Sequence, residues 1–399
     1  MDHGAAGLDP PKNKRWAKAH RSKVLGPLLP CRDLSASTTH DQHHPALDGV
    51  RGVAILLVLL HHYGGVAARG SHNPFVEFLL AGWTGVDLFF VLSGFLITSV
   101  ILRSMHRPRW VRTFYIRRAL RIAPLYYATL AVMLLVLPRF LPIYPAIQII
   151  LDHQWSLWFY LMNYIPISFD EWWLYLGHFW SLAVEEQFYI VWPALLALIG
   201  RRRWRVALLS FIVMIFVAQV AVALSGTIFS AHIHTFRPIG IMAGSALALI
   251  WPLDGSSERP WRPRWLKWIA ILCALITLIA VITGAMRDLS YPSTVPHIGA
   301  MRIIVFAAVI FLFVALVDAA RRPTRLTPLL SNRVPRFFGR YSYGMYVFHW
   351  LMVPAYTAWF GSLPPIAYIA LASVITTLMA MASFELLERP FQKLKPRSS

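Results

Sequence analysis

An arginine and a histidine share one apolar run: Leu47-Asp48-Gly49-Val50-Arg51-Gly52, an almost wholly apolar stretch from Val53 to Leu60, then His61-His62-Tyr63. In a helix, the rise from Arg51 to His62 is roughly 16 Å, about half a hydrocarbon core. A guanidinium near one membrane face and an imidazole deep inside are costly there, so both read first as functional groups. The placement points to chemistry done within the membrane.

Carboxylates lie at a comparable expected depth. Trp180-Ser181-Leu182-Ala183-Val184-Glu185-Glu186-Gln187-Phe188-Tyr189 carries Glu185 and Glu186 about one to two turns below the outer end of its span. Asp87 comes early in another span, in Gly85-Val86-Asp87-Leu88-Phe89-Phe90. A carboxylate hydrogen-bonded to one imidazole nitrogen fixes its tautomer and raises its basicity, as a general base requires. His62, Glu185 and Asp87 are therefore the candidate catalytic set, with a structural polar network between helices as the competing explanation.

The opposite end of the bundle carries Arg117, Arg118 and Arg121, whose spacing puts two guanidiniums on one helix face and a third beside them. With Arg51 they form a cluster suited to a phosphorylated ligand, because guanidinium forks bind phosphate bidentately. Ordinary positive-inside anchoring is the alternative, and it is the preferred reading of Arg103, Arg107, Arg109 and Arg112. His61 reads as a polar neighbour of His62. His349, in Tyr341-Ser342-Tyr343-Gly344-Met345-Tyr346-Val347-Phe348-His349-Trp350, either lines a site or joins a structural network. Ser93 is not in a Gly-x-Ser-x-Gly elbow, which argues against a hydrolase nucleophile. With Gly94 it permits close helix approach, a polar contact being its secondary role. His232 and His234 lack a third ligand, so no metal is expected.

The elements that must position these residues follow from composition. Of 399 residues, 57% are hydrophobic and 14% charged, whereas a soluble domain carries about a quarter charged. Apolar segments fall near 47–65, 82–102, 122–138, 144–165, 180–199, 206–224, 237–252, 266–284, 300–318, 341–360 and 365–387. An all-α, polytopic membrane helical bundle is the implied fold class. If 144–165 crosses, the Arg201-Arg202-Arg203-Trp204-Arg205 cluster falls outside. If it is re-entrant or interfacial, all basic residues except Arg69, Arg139, Arg237, Arg287 and Arg302 fall on the inner side. The second topology is adopted: about ten transmembrane helices plus one re-entrant or interfacial segment in a bacterial-type cell (inner) membrane, with both termini cytoplasmic.

Residues 1–45 lack the apolar segment of a secretory signal and read as a disordered basic cytoplasmic tail, 46–392 as the membrane domain, and 393–399 as a short basic tail. The net charge of +20 is explained by topology and contact with the anionic lipid bilayer, without nucleic acid as a partner. Two cysteines, Cys31 and Cys273, make no disulfide framework.

Together these segments resemble the acyltransferase 3 family of integral-membrane acyltransferases, which includes bacterial polysaccharide O-acetylases. Arg51 and His62 match the family's first-helix pattern. Gly85 to Ile97, the Arg117/Arg118/Arg121 stretch, Glu185-x-Gln187-Phe188, Tyr341 to Trp350 and Glu388-Arg389-Pro390-Phe391 match later motifs. The likeness covers about 46–392. Departures are His61, where an apolar or aromatic residue is usual, a long N-terminal tail, and no appended SGNH-type hydrolase domain.

The resemblance implies transfer of an acyl group, often acetyl, from cytoplasmic acyl-CoA as donor substrate to a hydroxyl. The acceptor would be a carbohydrate or a glycosylated small molecule, and no metal is involved. Arg51, Arg117, Arg118 and Arg121 would hold the CoA phosphates, and the pantetheine arm would thread the bundle to His62. That histidine would act as base or first take the acyl group. Glu185 would orient or charge-balance His62, with Gln187, Ser93 and His349 positioning substrate polar groups. A transporter or flippase of a glycan or lipid intermediate is the rival reading. A non-enzymatic scaffold leaves the intramembrane polar residues unexplained.

Overall fold

The computed structural model describes residues 1, 44–68, 74–139, 145–164, 176–199, 203–225, 238–250, 265–285 and 298–396. The chain divides after His43, and every described helix belongs to the unit from His44 onward. The expected basic tail therefore lies almost wholly outside the described residues, as do His232 and His234.

Among the described residues every regular element is helical, as lipid demands of a backbone with no water to bond. In chain order the helices are α1 (Pro45–Ala67), α2 (Pro74–Leu80), α3 (Gly85–Ser104), α4 (Trp110–Leu130), α5 (Pro145–Asp152), α6 (Gln154–Trp158), α7 (Phe179–Ile199) and α8 (Trp204–Ser225). They continue as α9 (Ile239–Ile250), α10 (Trp265–Ile282), α11 (Ile298–Ala320), α12 (Leu326–Leu330), α13 (Arg333–Phe348), α14 (Met352–Ala355), α15 (Pro365–Ser383) and α16 (Arg389–Lys393).

Seven helical stretches among the described residues are long and apolar enough to cross a membrane: Pro45–Ala67, Phe75–Ser104, Trp110–Arg139, Phe179–Ile199, Trp265–Ile282, Ile303–Ala320 and Pro365–Lys393. The other expected spans take different forms. The segment near 206–224 lies within α8, and the one near 237–252 contains the short α9. The 341–360 segment is a broken helix: α13 gives way to a tight turn at His349–Leu351, then α14, which contains Pro354, then a wider π-type stretch at Tyr356–Phe360. The 144–165 segment holds only the short pieces α5, α6 and Met162–Tyr164.

Apolar side chains face outward as well as inward. On α10, Leu272, Leu275, Leu278, Ile279 and Ile282 are each at least half exposed, a surface that suits lipid rather than water.

Close backbone contact sets the site's frame. A Cβ on Gly52 would lie 1.9 Å from the Pro335 carbonyl oxygen, and one on Gly339 would lie 1.9 Å from that of Asp48. Only glycine lets α1 and α13 approach this closely, so Arg51 and His62 are registered against His349 by backbone rather than by flexible side chains. α13 starts cleanly because the Asn332 side chain accepts from the Val334 N–H at 3.1 Å.

Candidate active site

Two polar layers lie along α1, called inner for the one toward its Pro45 end and outer for the one toward its Ala67 end. The inner one surrounds a cavity of about 110 Å³, lined by Arg51, Arg118, Arg121, Glu185, Glu186 and Tyr189 among others. Arg118 and Arg121, three residues apart on α4, present one face to it, and Arg51 enters from α1. Arg51 donates to Asp48 at 3.0 Å, while the Arg118 guanidinium stacks over the Tyr189 ring, 3.8 Å from its centroid. The Tyr189 hydroxyl donates to Glu185 at 3.2 Å and also pairs with Ser93, which itself reaches Glu185.

The Nε atoms of Arg117 and Arg118 are buried without a hydrogen-bond partner among the described residues. Buried donors left unmade are costly, and clustered guanidiniums repel one another. An anion seated here would relieve both.

The outer layer is built from imidazoles. His349 Nδ1 sits 2.6 Å from the Tyr346 carbonyl oxygen. A carbonyl only accepts, so Nδ1 carries the proton and Nε2 the lone pair. That Nε2 lies 3.2 Å from His62 Nδ1, which also faces the Val58 carbonyl at 3.0 Å. Both neighbours of His62 Nδ1 are acceptors, so Nδ1 is the N–H, shared between them. His62 Nε2 is left with the lone pair, the form a base or nucleophile needs. Trp350 packs on the His62 ring at 4.6 Å between centroids. His61 donates from Nδ1 to the Leu80 carbonyl at 2.7 Å, tying α1 to α2.

A fourth imidazole is not anticipated from the sequence. His178 lies between the His349 ring, at 4.9 Å, and the Trp350 ring, stacked at 5.2 Å, and donates from Nε2 to the Val347 carbonyl. Its position one residue before α7, beside the Trp180-Ser181 start of an apolar run, was the available signal. Despite these histidines, no group of three or more potential ligands among the described residues is arranged to hold a metal ion.

His178 also corrects the expected level of Glu185. α7 begins at the imidazole layer rather than above it, so Glu185, seven residues further in, lies roughly 10 Å below. It meets Arg118, Tyr189 and Ser93, while His62 pairs with His349 among the described residues. Asp87 is 1% exposed, with its backbone against Gly240 of α9. Gln187 donates to the Tyr160 carbonyl at 2.6 Å and to Asn163 at 2.8 Å, so it fastens the segment after α6 to α7 and does not line the cavity. Ser93 lines the cavity; Arg117 does not; Arg107, Arg109 and Arg112 are exposed.

One side chain joins the layers. Tyr346 lines the cavity, and its ring lies 5.2 Å from that of His349. Its hydroxyl pairs with Ser181 at 2.6 Å and donates to the His178 carbonyl at 3.1 Å. Phe89, its ring 6.2 Å from that of Tyr346 between centroids, also lines the cavity, and none of the histidines does.

Comparison with known proteins adds an independent finding. A family model described as an acyltransferase domain, that of acyltransferase 3, matches residues 44–385. The chain is 27% identical over 373 residues to the peptidoglycan O-acetyltransferase of Listeria monocytogenes, covering 88% of this chain and 56% of that protein. It is 29% identical over 377 residues to a putative peptidoglycan O-acetyltransferase of Bacillus subtilis, with 89% and 56% covered. A putative O-acetyltransferase of Staphylococcus aureus is 26% identical over 376 residues, with 88% and 58% covered. The chain thus spans a little over half the length of these curated relatives. No solved structure matches it.

Proposed function

The chain belongs to the acyltransferase 3 family, and from that premise we propose that it moves an acetyl-type acyl group from acyl-CoA to a carbohydrate hydroxyl. The inner cavity opens to the cytosol in this reading, and both termini lie on that side. Arg118 and Arg121 hold the CoA phosphates, and the pantetheine arm points outward toward Tyr346. Rotation of Tyr346 away from Ser181 lets the thioester reach His62.

There the acceptor hydroxyl gives its proton to His62 Nε2 as its oxygen attacks the thioester carbonyl. The C–S bond breaks, and the sulfur leaves with the proton held by the imidazole, giving free CoA thiol and an acyl ester. His349 holds His62 in the required tautomer, and the carbonyl of Tyr346 holds His349. Acyl transfer to His62 Nε2 first, then to the hydroxyl, uses the same lone pair. The acceptor class is carried by the relatives, which are named for peptidoglycan; a glycosylated small molecule has the same hydroxyl chemistry.

The observation that carries this reading is the tautomer-locked His62–His349 pair, one side chain away from a cavity lined by three arginines. The test uses purified protein in detergent, where transport has no meaning. Labelled acetyl-CoA should give labelled glycan acceptor, and His62→Ala should cut the rate by roughly a thousandfold or more. Wild-type turnover in His62→Ala at normal protein levels would falsify the role, and absence of any acyl product would favour the transporter.

A further inference from the structure

Beside the arginine cavity, the chain's C-terminal end brings up a cation that no motif covers. α16 packs on α4, and Lys395 follows two residues after it, half-buried, with Nζ donating to Gln392 Oε1 at 3.4 Å. Its charged neighbours across the contact are Arg121, Arg117 and Arg118. Lys393 and Arg389 share its own end of the chain. The carboxylates of the preceding turn are engaged: Glu385 with Arg389 and Arg340, Glu388 with Ser383. Four cations thus converge where one guanidinium nitrogen of Arg117 is buried without a partner among the described residues.

Depth sorts the four. Arg118 and Arg121 line the cavity, whereas Arg117 and Lys395 do not. α4 enters the bundle from the arginine end, so Arg117 lies one turn nearer the rim than Arg121. Lys395 lies beyond the last helix, on that same rim. Coenzyme A has a matching order: thioester, pantetheine, diphosphate, then the ribose 3′-phosphate. With the thioester innermost, the diphosphate reaches Arg118 and Arg121, and the phosphate monoester is left at the rim.

We propose that Lys395 and Arg117 form a second anion subsite that takes the 3′-phosphate of coenzyme A. This rests on the acyl-CoA reading and sharpens it, making the site selective for the phosphate monoester over its dephosphorylated counterpart.

The test is calorimetric titration of the full-length protein in neutral detergent with CoA and with 3′-dephospho-CoA. Wild type should bind CoA roughly tenfold more tightly, as a charge-assisted phosphate contact implies. Lys395→Gln should remove most of that preference by weakening CoA alone, and Lys395→Arg should keep it. Burial, then Arg121, Arg117 and Arg118 beside it, pushes the Lys395 ammonium down to about 8. The charged form binds the anion, so wild-type affinity for CoA should fall as pH rises through that value. In Lys395→Arg, whose guanidinium stays charged, it should stay level. Equal weakening of both nucleotides in Lys395→Gln, or of neither, overturns the subsite. A lipid phosphate as the true occupant would appear as an unchanged CoA preference, which overturns it too. If wild type binds neither nucleotide, the donor assignment falls with it.

Discussion

The inner and outer layers of this bundle are polar in different ways. Around the inner cavity, side chains bond chiefly to side chains: Arg51 to Asp48, Arg118 over Tyr189, Tyr189 to Glu185 and Ser93. In the outer layer, imidazoles bond to backbone carbonyls: His62 to Val58, His349 to Tyr346, His178 to Val347, His61 to Leu80. Charged side chains on one face can shift to follow a ligand of variable shape. Rings pinned by helix carbonyls keep one tautomer and one orientation. In the proposed function this contrast separates donor binding from chemistry, with Tyr346 standing between them.

That contrast can be broken at either layer. After His62→Ala, the largest expected loss is at its partner. His349→Ala removes the acceptor that shares the His62 Nδ1 proton, and the rate should fall roughly a hundredfold with little change in the KM for acyl-CoA. A rise in KM instead would mean that the outer layer binds the donor. In the inner layer, Arg118→Ala should raise the KM for acyl-CoA roughly tenfold while kcat changes less, and Arg121→Ala should behave alike. A loss confined to kcat would place these arginines in the chemistry. The smallest effect belongs to Gln187, which supports neither layer directly. Gln187→Ala should cost about 1–2 kcal/mol, read as a lower thermal midpoint, with both KM values unchanged.

Sequence patterning made the helices and the two chemical ends legible because apolar runs and isolated charges are local signals. Arg51, Arg118 and Arg121 meet at one cavity, whereas the pairing of His62 with His349 is not legible in the sequence. Levels between helices were harder to read. Counting from the start of an apolar run places Glu185 beside His62, but α7 starts at Phe179, next to the buried His178. His178 lies one residue outside α7 and ahead of the apolar run, so an apolar count leaves it out. The break after Phe348 was also invisible to an apolar count, although Pro354 marks it and the tight turn there presents His349. Gln187, part of a family motif, proved to be a brace. A motif shows that a residue is kept with its neighbours, not which way its side chain faces.

The central claim is that donor bound at the arginines reaches the imidazole pair past Tyr346. A structure determined with a non-hydrolysable acetyl-CoA analogue tests it most directly. Diphosphate oxygens within hydrogen-bond reach of Arg118 and Arg121, with the sulfur beyond a displaced Tyr346 and near His62 Nε2, are expected. A pantetheine arm that turns away from Tyr346, or an analogue seated elsewhere with His62 still sealed off, would contradict it.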